Sequence, residues 1–152
     1  MAVKPIPQGY HNVTPILVVQ GASRELDFLK QAFSAQELHR MNGPNGRIVH
    51  AEVQIGDSRI MVSDACGKMG PMPTSLYLYV PDCDATYRRA VQAGATSLQE
   101  PTDMFWGDRT GNVKDPAGNH WCIGTHQEDL KPQEIARRGE AFAKEHAMAG
   151  AH

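Results

Sequence analysis

The order strand, helix, three strands occurs twice along this chain at constant spacing, and that duplication limits the fold more than any other feature of the sequence. A slide of 61 residues brings Val19 onto Val80, Leu26 onto Tyr87 and Ala32 onto Ala93. A slide of 62 brings Arg47 onto Arg109 and Gly56 onto Gly118. In the first copy "NVTPILVVQG" (Asn12 to Gly21) reads as a β-branched strand stopped by glycine. "SRELDFLKQAF" follows, with Ser23 as the expected N-cap and Leu26, Leu29 and Phe33 at helical spacing. "GRIVHAEVQIGDSRIMVSD" (Gly46 to Asp64) predicts two strands around a Gly56-Asp57 turn. In the second copy "SLYLYV" is a strand, "DCDATYRRAVQAGA" a helix capped by Asp82 or Asp84, and "TSLQEP" a short strand. "GDRTGNVKDPAGNHW" (Gly107 to Trp121) closes that copy as a hairpin. The expectation is one α+β domain over residues 1–152: a βαβββ module over 10–66, a second over 74–126, and a tail over 127–152. "GKMGPMP" links the modules, and the tail holds a charged helix entered through Pro132.

Charge narrows the function classes. With 15 basic and 17 acidic side chains the formal charge is −2, so no global basic field calls for nucleic acid. The longest apolar run is too short to cross a bilayer, so no membrane partner is expected. Cys66, Cys83 and Cys122 are odd in number and form no CxxC, which points to a reducing cytoplasm. The glycines of "GKMGPMPTS" lack the spacing of a phosphate-binding loop.

Paired βαβββ units, with "LDFLKQAF" after the first strand and "DPAGNHW" before the last, resemble the vicinal oxygen chelate superfamily of glyoxalases, bleomycin-resistance proteins and extradiol dioxygenases. The opening "IPQGYHNVTPILVV" and "GRIVHAEVQIGDSRIMVSD" are similar to its PhnB-like, glyoxalase-like branch. The resemblance covers about residues 5 to 130. It implies cupped mixed sheets, a small-molecule cavity in each cup, and a homodimer that in this branch often exchanges modules between chains.

Metal-dependent members hold a divalent ion with His and Glu side chains on the cup's inner face, where it polarises substrate oxygens. The resemblance places the four ligand positions at Thr14, Ile60, Ser75 and Cys122, two hydroxyls, one aliphatic chain and one thiol. That set suits no hard or borderline metal, so no cofactor is expected. A site rebuilt from His11, His50, Glu52 or His120 is the alternative. Strand parity adds to the argument. If Ile60 and Val62 face the cup, so do their partners Val53 and Ala51, and His50 and Glu52 turn away.

The same parity predicts the lining. Thr14, Ile16 and Val18 come from the first strand, and Ser75, Tyr77 and Tyr79 from its counterpart. Ile60 and Val62 add an apolar wall, Cys122 completes the second cup, and Phe105 and Trp106 roof it. Arg47 and Arg109 occupy equivalent inner places, where a guanidinium can grip an anion. Together these predict a protein that binds a small, partly apolar or anionic molecule in a homodimer cavity. The rival expectation is a metal-dependent lyase, isomerase or dioxygenase acting on a small oxygenated metabolite, with His50, Glu52 or His120 as catalytic base.

Overall fold

The computed structural model describes residues 2–149. Strand β1 (Ile16–Val19) passes through Gly21, in the left-handed region at φ 84°, into helix α1 (Ala22–Phe33). The helix is not capped by Ser23. The Asp64 carboxylate accepts hydrogen bonds from the N–H groups of Gly21 (3.1 Å) and Ala22 (2.8 Å) at its start. Its other oxygen accepts from Ile48 N–H (2.8 Å). An anion brought by a distant strand thus satisfies the helix's first donors and complements its dipole.

Strands β2 (Gln36–Asn42), β3 (Ile48–Ile55) and β4 (Ser58–Asp64) complete the first module, with sheet order β1-β4-β3-β2. The second module repeats it. Strand β5 (Ser75–Tyr79), helix α2 (Cys83–Gln92) and strands β6 (Thr96–Asp103), β7 (Asp108–Lys114) and β8 (His120–His126) give the order β5-β8-β7-β6. In each sheet the first and last strands run parallel and the other pairs antiparallel. Asp82 caps α2, accepting from Ala85 N–H at 3.1 Å. Helix α3 (Pro132–Ala149) follows. The chain is an α+β protein of two mixed sheets, as the duplicated pattern predicts.

Each helix covers only one face of its sheet, so the apolar parity of the strands must lie beneath it. Leu17, Val19, Ala51, Val53, Ile60 and Val62 are buried with Leu26 and Leu29 of α1. In the second module Val113, Trp121 and Ile123 are buried on the corresponding face. One core spans both modules, and the Phe33 ring meets Trp121 at 4.7 Å. Trp121 also donates to Asp115 (2.8 Å), whose other oxygen accepts from Ala117 and Asn119 N–H and holds the β7–β8 turn.

This burial corrects the expected cup lining. Ala51, Val53, Ile60 and Val62 pair as the parity argument predicts, Ala51 with Val62 and Val53 with Ile60. Their shared face is the helix side, not the cup. The parallel register sets Ile16 beside Met61 and Val18 beside Ser63, so Ile16 and Ile60 lie on opposite faces. His50 and Glu52 therefore stand on the open face.

Candidate functional site

The face of sheet two away from its helix carries a polar network centred on one carboxylate. Asp108, at the start of β7, is only 2% exposed. Its Oδ2 accepts from the Tyr77 hydroxyl (2.5 Å), the Tyr79 hydroxyl (2.8 Å) and Trp106 Nε1 (3.1 Å). Its Oδ1 lies 2.7 Å from His126 Nδ1, and the other ring nitrogen of His126 lies 2.7 Å from Asp129. Burial alone would raise the Asp108 pKa, but the hydrogen bonds from Tyr77, His126, Tyr79 and Trp106 together hold it below the ordinary carboxylate value. Burial and then the Asp108 carboxylate push the Tyr77 hydroxyl up, so it stays a donor. The carboxylates of Asp108 and Asp129 raise the His126 pKa.

The aromatic rings project from this anchor. Tyr77 and Tyr79 lie 4.8 Å apart, and they are 44% and 62% exposed. Gly124 on β8 makes room for the first, since a Cβ there would stand 2.9 Å from the Tyr77 ring. Beside them His120 is held between Ser75 Oγ (2.5 Å) and Asn112 Oδ1 (2.7 Å). Cys122 is half-buried on the same face, and burial raises its thiol pKa, which disfavours a thiolate nucleophile.

Sheet one presents a charged counterpart. His50 Nε2 lies 3.6 Å from Glu52 Oε1, and the Tyr10 hydroxyl donates to the same carboxylate. His39 sits across the sheet, its ring 6.4 Å from that of His50. The hydrogen bond from Tyr10 outweighs partial burial and holds Glu52 below its ordinary pKa.

The structure thus brings Ser75, Tyr77, Tyr79, Trp106, His120 and Cys122 together on one open face, and Ile16, His50 and Glu52 onto the other. Arg109 is on neither. It points to the helix side, where it pairs with Asp84 (2.8 Å) and Asp103 (3.1 Å). Arg47 lies half-buried between β2 and β3 with its Nε lacking a hydrogen-bond partner. Phe105 packs on α3, 5.1 Å from the Phe142 ring. Thr14 and His11 line a cavity between the modules. Asp108 and His126 escaped the sequence reading. Their signal is the period of two: each shares the parity of Cys122 through the β7–β8 register, which pairs Asn112 with Cys122 and Asp108 with His126.

The four positions where metal ligands are implied do not fit a divalent ion. Ile60 is in the core, Thr14 faces the inter-module cavity, Ser75 is bonded to His120, and the Cys122 thiol is raised away from ionisation. Among the described residues no three His, Cys, Asp or Glu side chains gather to hold one ion.

Comparison with known proteins agrees with this architecture. The family model described as "Glyoxalase/Bleomycin resistance protein/Dioxygenase superfamily" matches residues 10–123. An uncharacterized protein of Mycobacterium bovis is 38% identical over 134 residues, covering 81% of this chain and 88% of the relative. The crystal structure of TioX from Micromonospora sp. ML1 superposes with a TM-score of 0.61 at 26% identity, covering 76% of this chain and 99% of TioX. The PhnB protein of Bacillus cereus shares the fold with a TM-score of 0.60 at 16% identity, covering 76% of this chain and 99% of that one.

Proposed function

The chain belongs to the glyoxalase/bleomycin resistance protein/dioxygenase superfamily, and from that premise we propose that it binds a small, partly apolar molecule inside a homodimer. The observation that carries this reading is the platform of Tyr77, Tyr79 and Trp106 locked onto buried Asp108. Side chains whose polar ends are fixed lose little freedom when a ligand stacks on them. An aromatic surface with a few oriented polar groups is also the usual make-up of a small-molecule site.

A second copy of the chain is the natural lid. Ile16 (55% exposed), Met41 (50%) and Tyr79 (62%) stand out on sheet faces that no helix covers. Placing sheet one of a partner over sheet two buries this apolar surface and sets a wall bearing His50 and Glu52 opposite the aromatic platform. We read this pairing as an exchange of modules between the two copies. The three free cysteines support a reducing, cytoplasmic location.

The test is light scattering coupled to a screen of small phenols and aromatic acids read by tryptophan fluorescence. The expected mass is that of a dimer. Hits should quench Trp106 emission and lose at least roughly tenfold in affinity in Tyr79→Ala. A monomer at micromolar concentration, or hits indifferent to Tyr79→Ala, would count against the reading.

His50 favours a second reading, an enzyme. An imidazole beside a carboxylate on an open face is placed to take a proton from a bound substrate. Metal analysis after loading with Zn, Ni, Mn and Fe and desalting tests the metal-dependent form of that enzyme. We expect metal well below one per protomer. Near-stoichiometric metal, lost in His50→Ala or Glu52→Ala, would make a metal-dependent lyase or dioxygenase the leading idea.

A further inference from the structure

A chain of hydrogen bonds crosses sheet two in strand order, from Ser75 on β5 through His120 on β8 and Asn112 on β7 to Gln99 on β6. The register puts these side chains on one face. Ser75 pairs with His120, Cys122 with Asn112, and alternate residues of a strand point the same way. The chain is separate from the Asp108 network, whose donors are Tyr77, Tyr79, Trp106 and His126.

Asn112 sets the direction of the chain. Its Nδ2 donates to Gln99 Oε1 (2.7 Å), so the Oδ1 that meets His120 Nε2 (2.7 Å) can only accept. The imidazole therefore carries its proton on Nε2 and keeps a lone pair on Nδ1. That lone pair takes the Ser75 hydroxyl at 2.5 Å. Nucleophile, base and orienting group thus stand in the relation that activates a serine. Ser75 is exposed while His120 and Asn112 are half-buried, so a substrate can reach the hydroxyl.

The backbone supplies a donor for the developing charge. Thr74 O accepts from His120 N–H (2.8 Å) and Val80 N–H donates to Gly124 O (2.8 Å), so the even-numbered residues of β5 bond to β8. The N–H of Ser75 consequently points to the free edge of the sheet, where a carbonyl oxygen can accept it. Thr74 N–H donates to the buried Asn119 (3.0 Å), which anchors the start of the strand.

We propose that Ser75, His120 and Asn112 form an acyl-transfer site that hydrolyses small aryl esters. Ser75 Oγ bonds to the ester carbonyl carbon as its proton passes to His120 Nδ1. The bond from that carbon to the aryl oxygen then breaks, and the proton goes to the departing phenol. Water repeats the attack with its proton on His120, releasing the acid and restoring Ser75. The Tyr77 ring, two residues along β5 on the same face, gives the aryl group an apolar wall. Asn112 is a positioning residue, holding the ring and its tautomer.

p-Nitrophenyl acetate and diisopropyl fluorophosphate test this on the full chain. Nitrophenol release should saturate with substrate, and mass spectrometry should find the acetyl and phosphoryl groups on Ser75. Ser75→Ala and His120→Ala should each lower kcat/KM by roughly a hundredfold or more. Asn112→Ala should lower kcat with little change in KM, and Asn112→Asp, which keeps the acceptor, should restore it. Fluorophosphate should fail to label Ser75 in His120→Ala. The label on wild type is a test that stands even where a variant fails to fold. No turnover, turnover that persists in Ser75→Ala, or label only on other residues would overturn the proposal.

Discussion

Glu25→Gln should stabilise the protein by about 3 kcal/mol at pH 7, with a larger gain toward pH 9. Glu25 sits on α1 against the β7–β8 turn and is 1% exposed, and neither carboxyl oxygen has a hydrogen-bond partner. Burial, and then the neighbouring Asp115 carboxylate, push its pKa from 4.5 to about 9. The folded state therefore holds a proton that the unfolded chain releases above its ordinary pKa. Stability is greatest below that value and falls by about 1.4 kcal/mol per pH unit until the folded value is reached. Glutamine keeps the shape and cannot ionise, so this slope disappears. Urea unfolding from pH 5 to pH 9 measures it, and parallel curves for wild type and variant would show that Glu25 is not held neutral.

Asp108→Ala should cost about 3 kcal/mol at pH 7 and disable the aromatic platform together. The substitution strips Tyr77, Tyr79, Trp106 and His126 of their common acceptor. All four donors sit at an exposed face, where water can replace part of the loss, so the cost stays at the lower end for a buried charge. The pH sign is opposite to that of Glu25. Asp108 has a depressed pKa, so its contribution is present above the ordinary value of 3.8 and lost as pH falls through the folded value. Unfolding curves of wild type and variant should converge in acid; a constant gap below pH 3.8 would show that the charge is not the source. In the variant the Tyr77 hydroxyl loses the carboxylate that opposes its ionisation and should titrate at lower pH by ultraviolet absorbance.

Much of the fold was legible because its signals are local. Leu26, Leu29 and Phe33 recur at helical spacing, and the Gly56 turn and the Asp115–Asn119 turn carry their own chemistry. β2 left no comparable trace. Its sequence QELHRMN is polar and most of it is exposed at a sheet edge, so it lacks the alternation that marks a half-buried strand. The cap of α1 was equally hidden, since Asp64 lies far from it in sequence.

The candidate site was legible in part. Tyr77 and Tyr79 were visible as a pair because they alternate with Leu76 and Leu78, but the acceptor that holds them comes from β7. A lone aspartate opening a strand reads as turn chemistry until the register with His126 is known. Arg109 matched Arg47 across the repeat, yet Asp84 and Asp103 turn it to the helix side.

Periodicity, turns and duplication determined the two βαβββ units and the partition of each strand into two sets of side chains, because each depends on neighbours a few residues apart. Which set faces the helix was decided only by tertiary packing. A strand is symmetric between its faces until a helix buries one of them, and the parallel pairing of β1 with β4 then fixes the choice for the whole sheet. That choice placed Ile60 and Val62 in the core and left His50 and Glu52 on the open face.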